Sequence, residues 1–321
     1  MSGAPPRLPV TAIILAFNEE LHIRRCLERI VPVVERVVVI DSFSTDRTVE
    51  IARQLGAEVY QNVWKNYAAQ FQWGVDRAAI TTEWTMRLDS DEYLEPGLIA
   101  EIRDKLPQFP AGITACALRL KVIFRGKFIR FGGYHTTLLT RIWRTDAGQI
   151  EQRWMDEHIV ISRGERVLVT GGDLVDENLK DIGWWIDKHN GYTTRQMIDF
   201  INLEHPLFPM DQRLQADTNS HAKWKRFLRN IVFARTPLYL RSVLYFLQRY
   251  FLRLGFLDGR RGFLFHFMQG FWNFMLIDAK VDEARLYIRL HGIEAFKLHL
   301  TARYGIKDLS PVEDSSPVEH S

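Results

Sequence analysis

The sequence predicts an α/β fold, because short apolar runs alternate with helical patterns between residues 10 and 60. The predicted strands are rich in β-branched residues, as in strands buried on both faces of a parallel sheet, and comprise residues 10–17, 37–40 and 57–60. Residues 19–31 and 47–55 have apolar side chains at near-helical spacing, and Gly56 is suited to ending the second helix. Such sheets bind ligands at the carboxyl ends of their strands.

Further elements follow from the same criteria. A helix is predicted after Pro96-Gly97, extending to residue 105. Additional strands are predicted at residues 115–124, 138–143 and 159–161.

Composition limits the classes of function. At 321 residues the chain has ample material for a core. Lys and Arg total 42 against 39 Asp and Glu, a net charge of +3 that is too balanced for a general nucleic-acid binder, so no nucleic-acid partner is expected. Cys26 and Cys116 are far apart and lack metal-ligand spacing, which fits a reducing compartment. The N-terminal residues lack the apolar core of a signal peptide, so we expect a cytoplasmic protein.

A D-x-D sequence at residues 89–91 follows the predicted end of a strand. Ser90 is a small turn residue that lets the carboxylates of Asp89 and Asp91 converge on one point. Mg²⁺ and Mn²⁺ favour carboxylate oxygens, and Mg²⁺ is usually held by one or two carboxylates plus substrate phosphates. A metal-bound diphosphate is therefore the expected ligand. The alternative is that these acids belong to a solvated loop, since short motifs often arise by chance.

Polar residues follow other predicted strands in the same way. Asn18-Glu19 and Asp41 each come directly after a strand, so one crevice is expected to collect them with the D-x-D pair. For Asp41 alone, a turn or capping role is equally consistent with the sequence. Arg87 is either a phosphate or sugar contact or a charge at the strand edge.

Two downstream segments are further candidates. Asp156-Glu157 lies beside Trp154 and before an apolar run, and forms either a surface turn or a reactive carboxylate. Residues 173–195 are dense in Trp, His, Asn and Arg. These side chains either pack in a core or line an acceptor groove, because aromatic faces and hydrogen-bonding groups suit sugar hydroxyls.

The last third of the chain mixes aromatic runs with arginines. Residues 237–256 are interrupted by charges and residues 262–277 are too short, so neither stretch is predicted to span a bilayer. Basic, aromatic helices lying on an anionic membrane are one interpretation, and a helical cap on the sheet or a dimer contact is the other. We expect a catalytic domain at residues 1–215, a helical region at residues 216–307 and a disordered tail at residues 308–321.

Three motifs in this order and spacing carry a resemblance to a known family: AFNEE after the first strand, DSFSTD after the second, and LDSDE about fifty residues later. They resemble the nucleotide-sugar domain of family 2 glycosyltransferases, which have the GT-A fold, a Rossmann-like mixed sheet flanked by helices. The segments RWMDEHI, DENL, WWxxKHNxYxxRQ and FLDGRRGF resemble the bacterial branch that builds lipopolysaccharide cores and exopolysaccharides, with lipopolysaccharide core β-glucosyltransferase-like members.

The resemblance implies a role for each matching residue. Phe17, Asn18 and Glu19 would contact the nucleoside. Asp41 would hold the base, usually uracil.

Asp89 and Asp91 would be the D-x-D pair, with Asp91 the direct ligand of Mn²⁺ or Mg²⁺. Asp156 and Glu157 occupy the place of the family's general base, although the sequence Asp-Glu-His departs from the usual pattern and leaves two candidates for one role. Glu157 is the preferred one.

The implied reaction moves a hexose from a nucleoside-diphosphate sugar, expected to be a UDP-sugar, to a hydroxyl of a glycolipid or oligosaccharide acceptor. An acceptor hydroxyl needs a positioned base, and one base without a covalent intermediate implies inversion. The expected location is peripheral, on the inner face of the cytoplasmic membrane. Two alternatives remain open. A sugar nucleotidyltransferase would normally have a Gly-rich loop where this chain has Phe17-Asn18-Glu19-Glu20, and a non-catalytic scaffold would bind ligands without turnover.

Overall fold

The computed structural model describes residues 5–155, 157–208 and 236–306. The strands are β1 (Leu8–Ala16), β2 (Val34–Asp41), β3 (Glu58–Gln61), β4 (Trp84–Asp89), β5 (Glu92–Leu94), β6 (Ile113–Phe124), β7 (Lys127–Phe128), β8 (Leu138–Arg144), β9 (Gly148–Ile150), β10 (Ile159–Ile161) and β11 (Glu165–Glu177). The helices are α1 (Ile23–Ile30), α2 (Thr48–Gln54), α3 (Tyr67–Ala78), α4 (Pro96–Lys105), α5 (Ile182–Glu204), α6 (Leu240–Leu247), α7 (Gly259–Phe267), α8 (Asn273–His291) and α9 (Ile293–Tyr304). Short 3₁₀ or π-helical turns cover Leu106–Gln108, Gln248–Leu252, Gly255–Asp258 and Met268–Trp272.

The main sheet is mixed and has the strand order β3-β2-β1-β4-β8-β6-β11-β5, with β7 added to β6. Strands β3, β2, β1 and β4 run parallel, whereas β8 is antiparallel to both β4 and β6. Helices α1, α2 and α4 share one buried cluster with the sheet, and α3 shares a second. The predicted α/β class is therefore confirmed.

Strand β1 lies at the centre of the parallel half. Val10, Ala12 and Ile14 belong to the cluster with α1, whereas Ile13 and Leu15 belong to the cluster with α3. Because both faces are covered, residues 12–16 form a continuous apolar run rather than an alternating one.

Helix α3 was not assigned from the sequence. It begins at Asn66, whose side chain accepts a hydrogen bond from Ala69 N at 2.8 Å. On the buried side of this helix Gln70 is 1% exposed and donates to Ser42 Oγ and to Asn62 O. A buried glutamine breaks the apolar periodicity by which helices are recognised.

Strand β11 was also missed, although it lies between β6 and β5. Its register against β6 shifts between Val169 and Leu174. Gly171 and Gly172 in this interval lie against α4, and a Cβ on Gly171 would lie 2.7 Å from Gly97 O. The close approach of the two backbones requires glycines, and these interrupt the strand pattern.

The C-terminal helices pack on α5. The shared buried cluster includes Met197, Ile198, Ile201, Ile277, Val281, Phe296 and Leu300. Within the described residues, no helix combines the length and apolar character needed to cross a bilayer. The predicted domain boundary at residues 215/216 and the predicted tail at residues 308–321 lie outside the described residues, so the domain division stays a prediction.

Asp278 anchors the start of α6 to α8. It is fully buried and accepts hydrogen bonds from Tyr239 N at 2.8 Å, Arg241 Nε at 2.6 Å and Ser242 Oγ at 3.0 Å. Asp278→Ala is expected to lower the free energy of unfolding by about 3–5 kcal/mol, because the buried Arg241 loses its carboxylate. Urea denaturation measures this loss. Asp282→Ala is the matched control on the same helix, since exposed Asp282 contacts only the Tyr239 hydroxyl among the hydrogen bonds described, and a change of at most about 1 kcal/mol is expected.

Candidate active site

The parallel strands bring the predicted carboxylates to one edge of the sheet. Asp41 pairs in register with Ala16, and Asp89 pairs with Leu15. The acids at the ends of β2 and β4 therefore flank the end of β1. Beside the D-x-D turn lies a cavity of about 270 Å³, whose polar walls include Asp89, Asp91, Glu92, Asp176, Asn178, Lys180 and Lys188.

Asp89 is fixed by cationic and hydroxyl partners. Tyr67 donates its hydroxyl to Oδ1, Arg141 Nη2 donates to Oδ2 at 3.3 Å, and Arg87 Nε lies 3.9 Å from Oδ1. Burial acts to raise the pKa of Asp89, but the charges of Arg141 and Arg87 outweigh it and lower this pKa to about 2. Asp89 is therefore ionised and rigidly placed.

Glu92 completes the buried half of this network. Its Oε2 accepts from Asp89 N at 3.0 Å, and its Oε1 contacts Arg141. Burial raises the pKa of Glu92 to about 8; the charge of Arg141 acts against this rise, and the nearby Asp89 and Asp176 carboxylates add to it. Glu92 therefore supports the turn from within the protein and is not a solvated loop acid.

Asp91 points toward the pocket from the turn between β4 and β5. Its Oδ2 accepts from Asn178 Nδ2 at 3.0 Å and lies 3.9 Å from Lys188 Nζ. Asp176, on β11, pairs in register with Glu92 and lines the same pocket. Burial and the charge of Asp91 raise the pKa of Asp176 to about 7. Asp176 was missed because only the position of β11 reveals its proximity to Asp91.

The oxygen donors at this turn suit a divalent cation. Burial is the largest cause of the raised pKa values of Glu92 and Asp176, and neighbouring carboxylates add to it with a repulsion that a bound cation would relieve. Among the described residues, no group of three or more His, Cys, Asp or Glu side chains has metal-ligating spacing. A pair of carboxylates is compatible with Mg²⁺, which is usually held by one or two carboxylates together with substrate phosphates.

Arg87 links the D-x-D pair to the downstream candidate base. Its Nη2 donates to Glu157 Oε1 at 3.1 Å, and its guanidinium lies 4.1 Å from the centre of the Tyr67 ring. The Glu157 side chain is 9% exposed. One guanidinium thus connects Glu157 with Asp89. Asp156, the other candidate, lies outside the described residues.

Asn18 joins the loops after β1 and β2. It has a φ of 54°, a left-handed conformation that asparagine tolerates better than most residues. Its backbone N donates to Ser44 Oγ, and its Oδ1 accepts from Thr45 N, both at 2.8 Å. Asn18 therefore ties the loops after β1 and β2 together, and its neighbour Phe17 is 55% exposed.

Glu19 is engaged within the protein. Its Oε2 lies 2.5 Å from His22 Nδ1, and its Oε1 accepts from Lys180 Nζ at 2.9 Å. His22 Nε2 in turn accepts from Leu179 N at 2.8 Å. Glu19 thus connects the first motif to the segment that follows β11. Its predicted nucleoside contact stays a prediction.

Asp41 is fully buried at the end of β2. Its Oδ2 accepts from Ser44 N and Gln61 Nε2, both at 2.9 Å, and its Oδ1 accepts from the Ser44 hydroxyl. Asp41 therefore caps its own turn, which was the alternative left open by the sequence. Its predicted contact with the base also stays a prediction.

The aromatic segment lies on the same pocket as the D-x-D turn. Helix α5 begins at Asp181, which accepts from Trp184 N at 2.9 Å. Trp184, Trp185, His189 and Tyr192 line the pocket, facing Phe124, Tyr134 and Phe265. The Lys180 and Lys188 ammonium groups lie 4.3 and 4.7 Å from the Trp184 ring centre. These aromatic residues thus both pack together and form a wall of the crevice.

His189 belongs to this aromatic wall, and its burial is expected to make the stability of the protein depend on pH. Its ring stacks on Trp185 with centroids 3.5 Å apart, and Nδ1 lies 2.9 Å from Trp185 O. Burial lowers the pKa of His189 to about 4. The unfolded chain therefore binds more protons than the folded one between about pH 6.5 and 4, and stability falls as pH decreases through that window.

Between pH 7 and pH 5 this group is expected to contribute a loss of about 1–2 kcal/mol in the free energy of unfolding. Urea denaturation at both values measures it. His189→Phe keeps the stacked ring but cannot titrate, so its stability should vary less with pH. An equal pH dependence in both proteins would contradict this account.

A family model described as "Glycosyl transferase family 2" matches residues 11–160, which span β1 to β10. An uncharacterized glycosyltransferase of Rickettsia felis is 37% identical over 93 residues, covering 29% of this chain and 32% of that protein. A Rhizobium meliloti lipopolysaccharide core biosynthesis glycosyltransferase, LpsC, is 30% identical over 111 residues, covering 33% of this chain and 38% of that protein. The chain thus spans about a third of the length of these curated relatives.

Solved structures are more distant. Glucosyl-3-phosphoglycerate synthase from Mycobacterium tuberculosis, solved with Mn²⁺, UDP and phosphoglyceric acid, is 26% identical over 37% of this chain and 44% of that one, with a TM-score of 0.29. Another structure of that enzyme covers 59% of this chain and 80% of that one at 16% identity, with a TM-score of 0.36. These scores are too low to support inferences about ligands. The family model thus covers the parallel strands and the D-x-D turn, and over residues 11–160 this chain is similar to family 2 glycosyltransferases.

Proposed function

We propose that the protein is an inverting hexosyltransferase. It would move a sugar from a nucleoside-diphosphate sugar, most simply a UDP-sugar, to a hydroxyl of a lipid-linked, lipopolysaccharide-core or exopolysaccharide acceptor. The observation that carries the proposal is that Asp89 and Asp91 open into the same pocket as the lysines and aromatic rings of the β11–α5 segment. The lipopolysaccharide core glycosyltransferase of Rhizobium meliloti among its relatives supports this acceptor class.

The chain's own groups suit a diphosphate leaving group. Asp91 and Asp89 would hold the divalent cation, which when bound stabilises the negative charge on that leaving group. Although burial opposes it, Tyr192, Asp91 and neighbouring carboxylates raise the pKa of Lys188 well above its usual range, so this ammonium stays charged at the pocket. Lys188 is therefore placed to neutralise a phosphate beside the D-x-D turn.

The aromatic wall suits the sugars. Trp184 and Trp185 line the pocket, while Asn178 and Gln269 supply hydrogen-bonding groups. We assign this side to the acceptor and the loops after β1 and β2 to the nucleoside. In this arrangement the exposed Phe17 would stack on the base.

Glu157 is the proposed general base. A carboxylate that accepts the proton of the acceptor hydroxyl as the bond to the anomeric carbon forms requires no covalent intermediate, so an α-linked donor gives a β-linked product. Arg87 holds the Glu157 carboxylate in place by donating a hydrogen bond to it. The enzyme would work at the inner face of the cytoplasmic membrane, where such acceptors are anchored.

The decisive experiment is calorimetry with UDP, GDP, CMP and dTDP, each with and without Mn²⁺. Metal-dependent binding of one diphosphate is expected, and transfer assays with sugars of that nucleotide would follow. Binding to none of the four would remove the basis of the proposal. Binding without turnover on any acceptor would instead favour a non-catalytic scaffold.

A further inference from the structure

Helix α6 has an apolar stripe that faces solvent. Leu240, Val243, Leu244 and Leu247 recur at the spacing of one helical face, and each is between 37% and 50% exposed. Arg241, on the other side, is buried against Asp278. The helix is therefore fixed to the protein by its polar side, and its apolar side has no covering among the described residues.

The exposed surface continues beyond α6 into α7. Its further members are Phe251, Leu252, Leu254, Phe256, Leu257, Phe263 and Phe267, each at least 37% exposed and Leu252 79% exposed. Ring contacts join α6 and the turn after it to α7. The ring centres of Phe246 and Phe267 lie 6.2 Å apart, and those of Tyr250 and Phe263 lie 5.6 Å apart. We call these eleven residues of α6, α7 and the turns between them the apolar surface. Contiguous exposed apolar surfaces of this kind mark interaction sites.

A basic rim accompanies the apolar surface. Arg253, Arg260 and Arg261 are exposed within the same segment, and Arg261 Nη1 donates to Arg125 O at 2.8 Å. This contact brings in the β6–β7 hairpin, whose exposed basic residues are Arg125, Lys127 and Arg130. We call these six exposed basic residues the basic rim.

The segment offers no exposed carboxylate to offset this charge. Residues 236–267 contain one acid, Asp258, which is 4% exposed. Asp258 accepts from Arg130 N and Phe131 N, both at 3.1 Å, and lies 3.3 Å from His266 Nε2. It serves to join the hairpin to α7 rather than to balance the arginines.

We propose that the apolar surface and its rim dock on an anionic lipid membrane. Leucine and phenylalanine side chains beside arginines are the composition of helices that lie in the membrane interface, with the apolar side among the acyl chains and the arginines at the phosphates. A protein partner would need an acidic counterpart of matching shape, whereas an anionic bilayer offers both chemistries to any surface of this composition.

The docking would place the pocket next to the bilayer. Phe265 on α7 and Gln269 just beyond it line the pocket, whereas Phe263 and Phe267 on the same helix are exposed in the apolar surface. One helix, about 10–12 Å in diameter, thus separates pocket and membrane. An acceptor whose sugars project from a lipid anchor could reach the D-x-D turn without leaving the bilayer. This second step rests on the proposed transferase function, and the docking itself does not.

Sedimentation with vesicles tests the docking. The full chain is expected to pellet with vesicles of equal parts phosphatidylcholine and phosphatidylglycerol, more weakly with phosphatidylcholine alone, and less at high salt. The triple variant Leu244→Gln, Leu247→Gln and Phe251→Gln should bind about 100-fold more weakly. Leu290→Gln with Leu298→Gln is the matched control, because both leucines are exposed on α8 and α9 away from the apolar surface, and binding should be unchanged.

Several outcomes would overturn the docking. They are wild-type protein that stays in the supernatant with anionic vesicles, a triple variant that still pellets, or a control variant that loses binding to the same degree. If the wild type instead forms dimers that the triple variant abolishes, and neither pellets, the apolar surface is a contact between two copies. Circular dichroism confirms that the variants are folded.

Nucleotide binding separates this proposal from the proposed function. The triple variant should bind the same nucleotide as the wild type with unchanged affinity, because no substituted residue lines the pocket. Vesicle binding without nucleotide binding would support the docking and contradict the transferase. Nucleotide binding without vesicle binding would support the transferase and contradict the docking.

Discussion

Glu157→Gln is expected to lower sugar transfer by about 10²–10⁴-fold while leaving nucleotide affinity within a few fold of the wild type. Glutamine keeps the size of the side chain and can still accept a hydrogen bond from Arg87, but it cannot take the proton of the acceptor hydroxyl. Because Glu157 is separated from the D-x-D turn by Arg87, the metal and diphosphate sites should be preserved. Single-turnover transfer and calorimetry, measured on the same preparation, check both expectations.

Asp156→Asn is the matched comparison, since it removes the neighbouring carboxylate of the same motif. We expect this variant to retain most of its transfer activity. If Asp156→Asn loses transfer and Glu157→Gln keeps it, the base has been assigned to the wrong residue. If both variants keep it, the base lies elsewhere, and Asp176 in the pocket becomes the residue to test.

Asp91→Asn is expected to abolish the metal-dependent part of nucleotide binding. The amide cannot supply the negative oxygen that a hard cation prefers, although it preserves the size of the side chain. Calorimetry with the bound nucleotide should show enhancement by Mn²⁺ in the wild type and none in the variant. Asp187→Asn, which changes an exposed acid on α5, is a control for the change in net charge and should bind as the wild type does.

A different result would relocate the metal. If the binding of nucleotide by Asp91→Asn still depends fully on Mn²⁺, and that of Asp176→Asn has lost this dependence, the cation is held by Asp176 on β11. The structure makes this comparison informative because both carboxylates line one pocket and Asp91 contributes to the raised pKa of Asp176.

The parts of the fold that could be predicted from sequence are those whose signal is local. Residues 12–16 of β1 and 37–40 of β2 are apolar because both faces are covered, and the D-x-D turn lies at the end of β4. Helix α3 and strand β11 were not predicted. Gln70 interrupts the apolar periodicity of the helix, and the Gly171-Gly172 pair interrupts that of the strand. In both cases the interrupting residue is placed by a partner elsewhere in the fold.

The same distinction applies to the candidate site. Sequence motifs selected Glu19 and Asp41 as ligand contacts, yet both carboxylates are occupied by protein donors. The partner of Glu19 that a motif cannot reveal is Lys180, which is 161 residues away in the chain. Asp176 was invisible for the same reason, since its proximity to Asp91 depends on where β11 enters the sheet.

The position of β11 also determines the shortest fragment of this chain that could fold and bind its ligands. The match to the family model ends at residue 160, but β5, which follows the Asp91 turn, pairs with β11 at residues 174–176. A fragment ending at residue 160 would leave β5 without its partner strand β11 and would lack Asn178, Lys180 and Lys188. The shortest fragment that keeps both the sheet and the pocket therefore extends at least through α5. It ends well beyond residue 160, where the match to the family model ends.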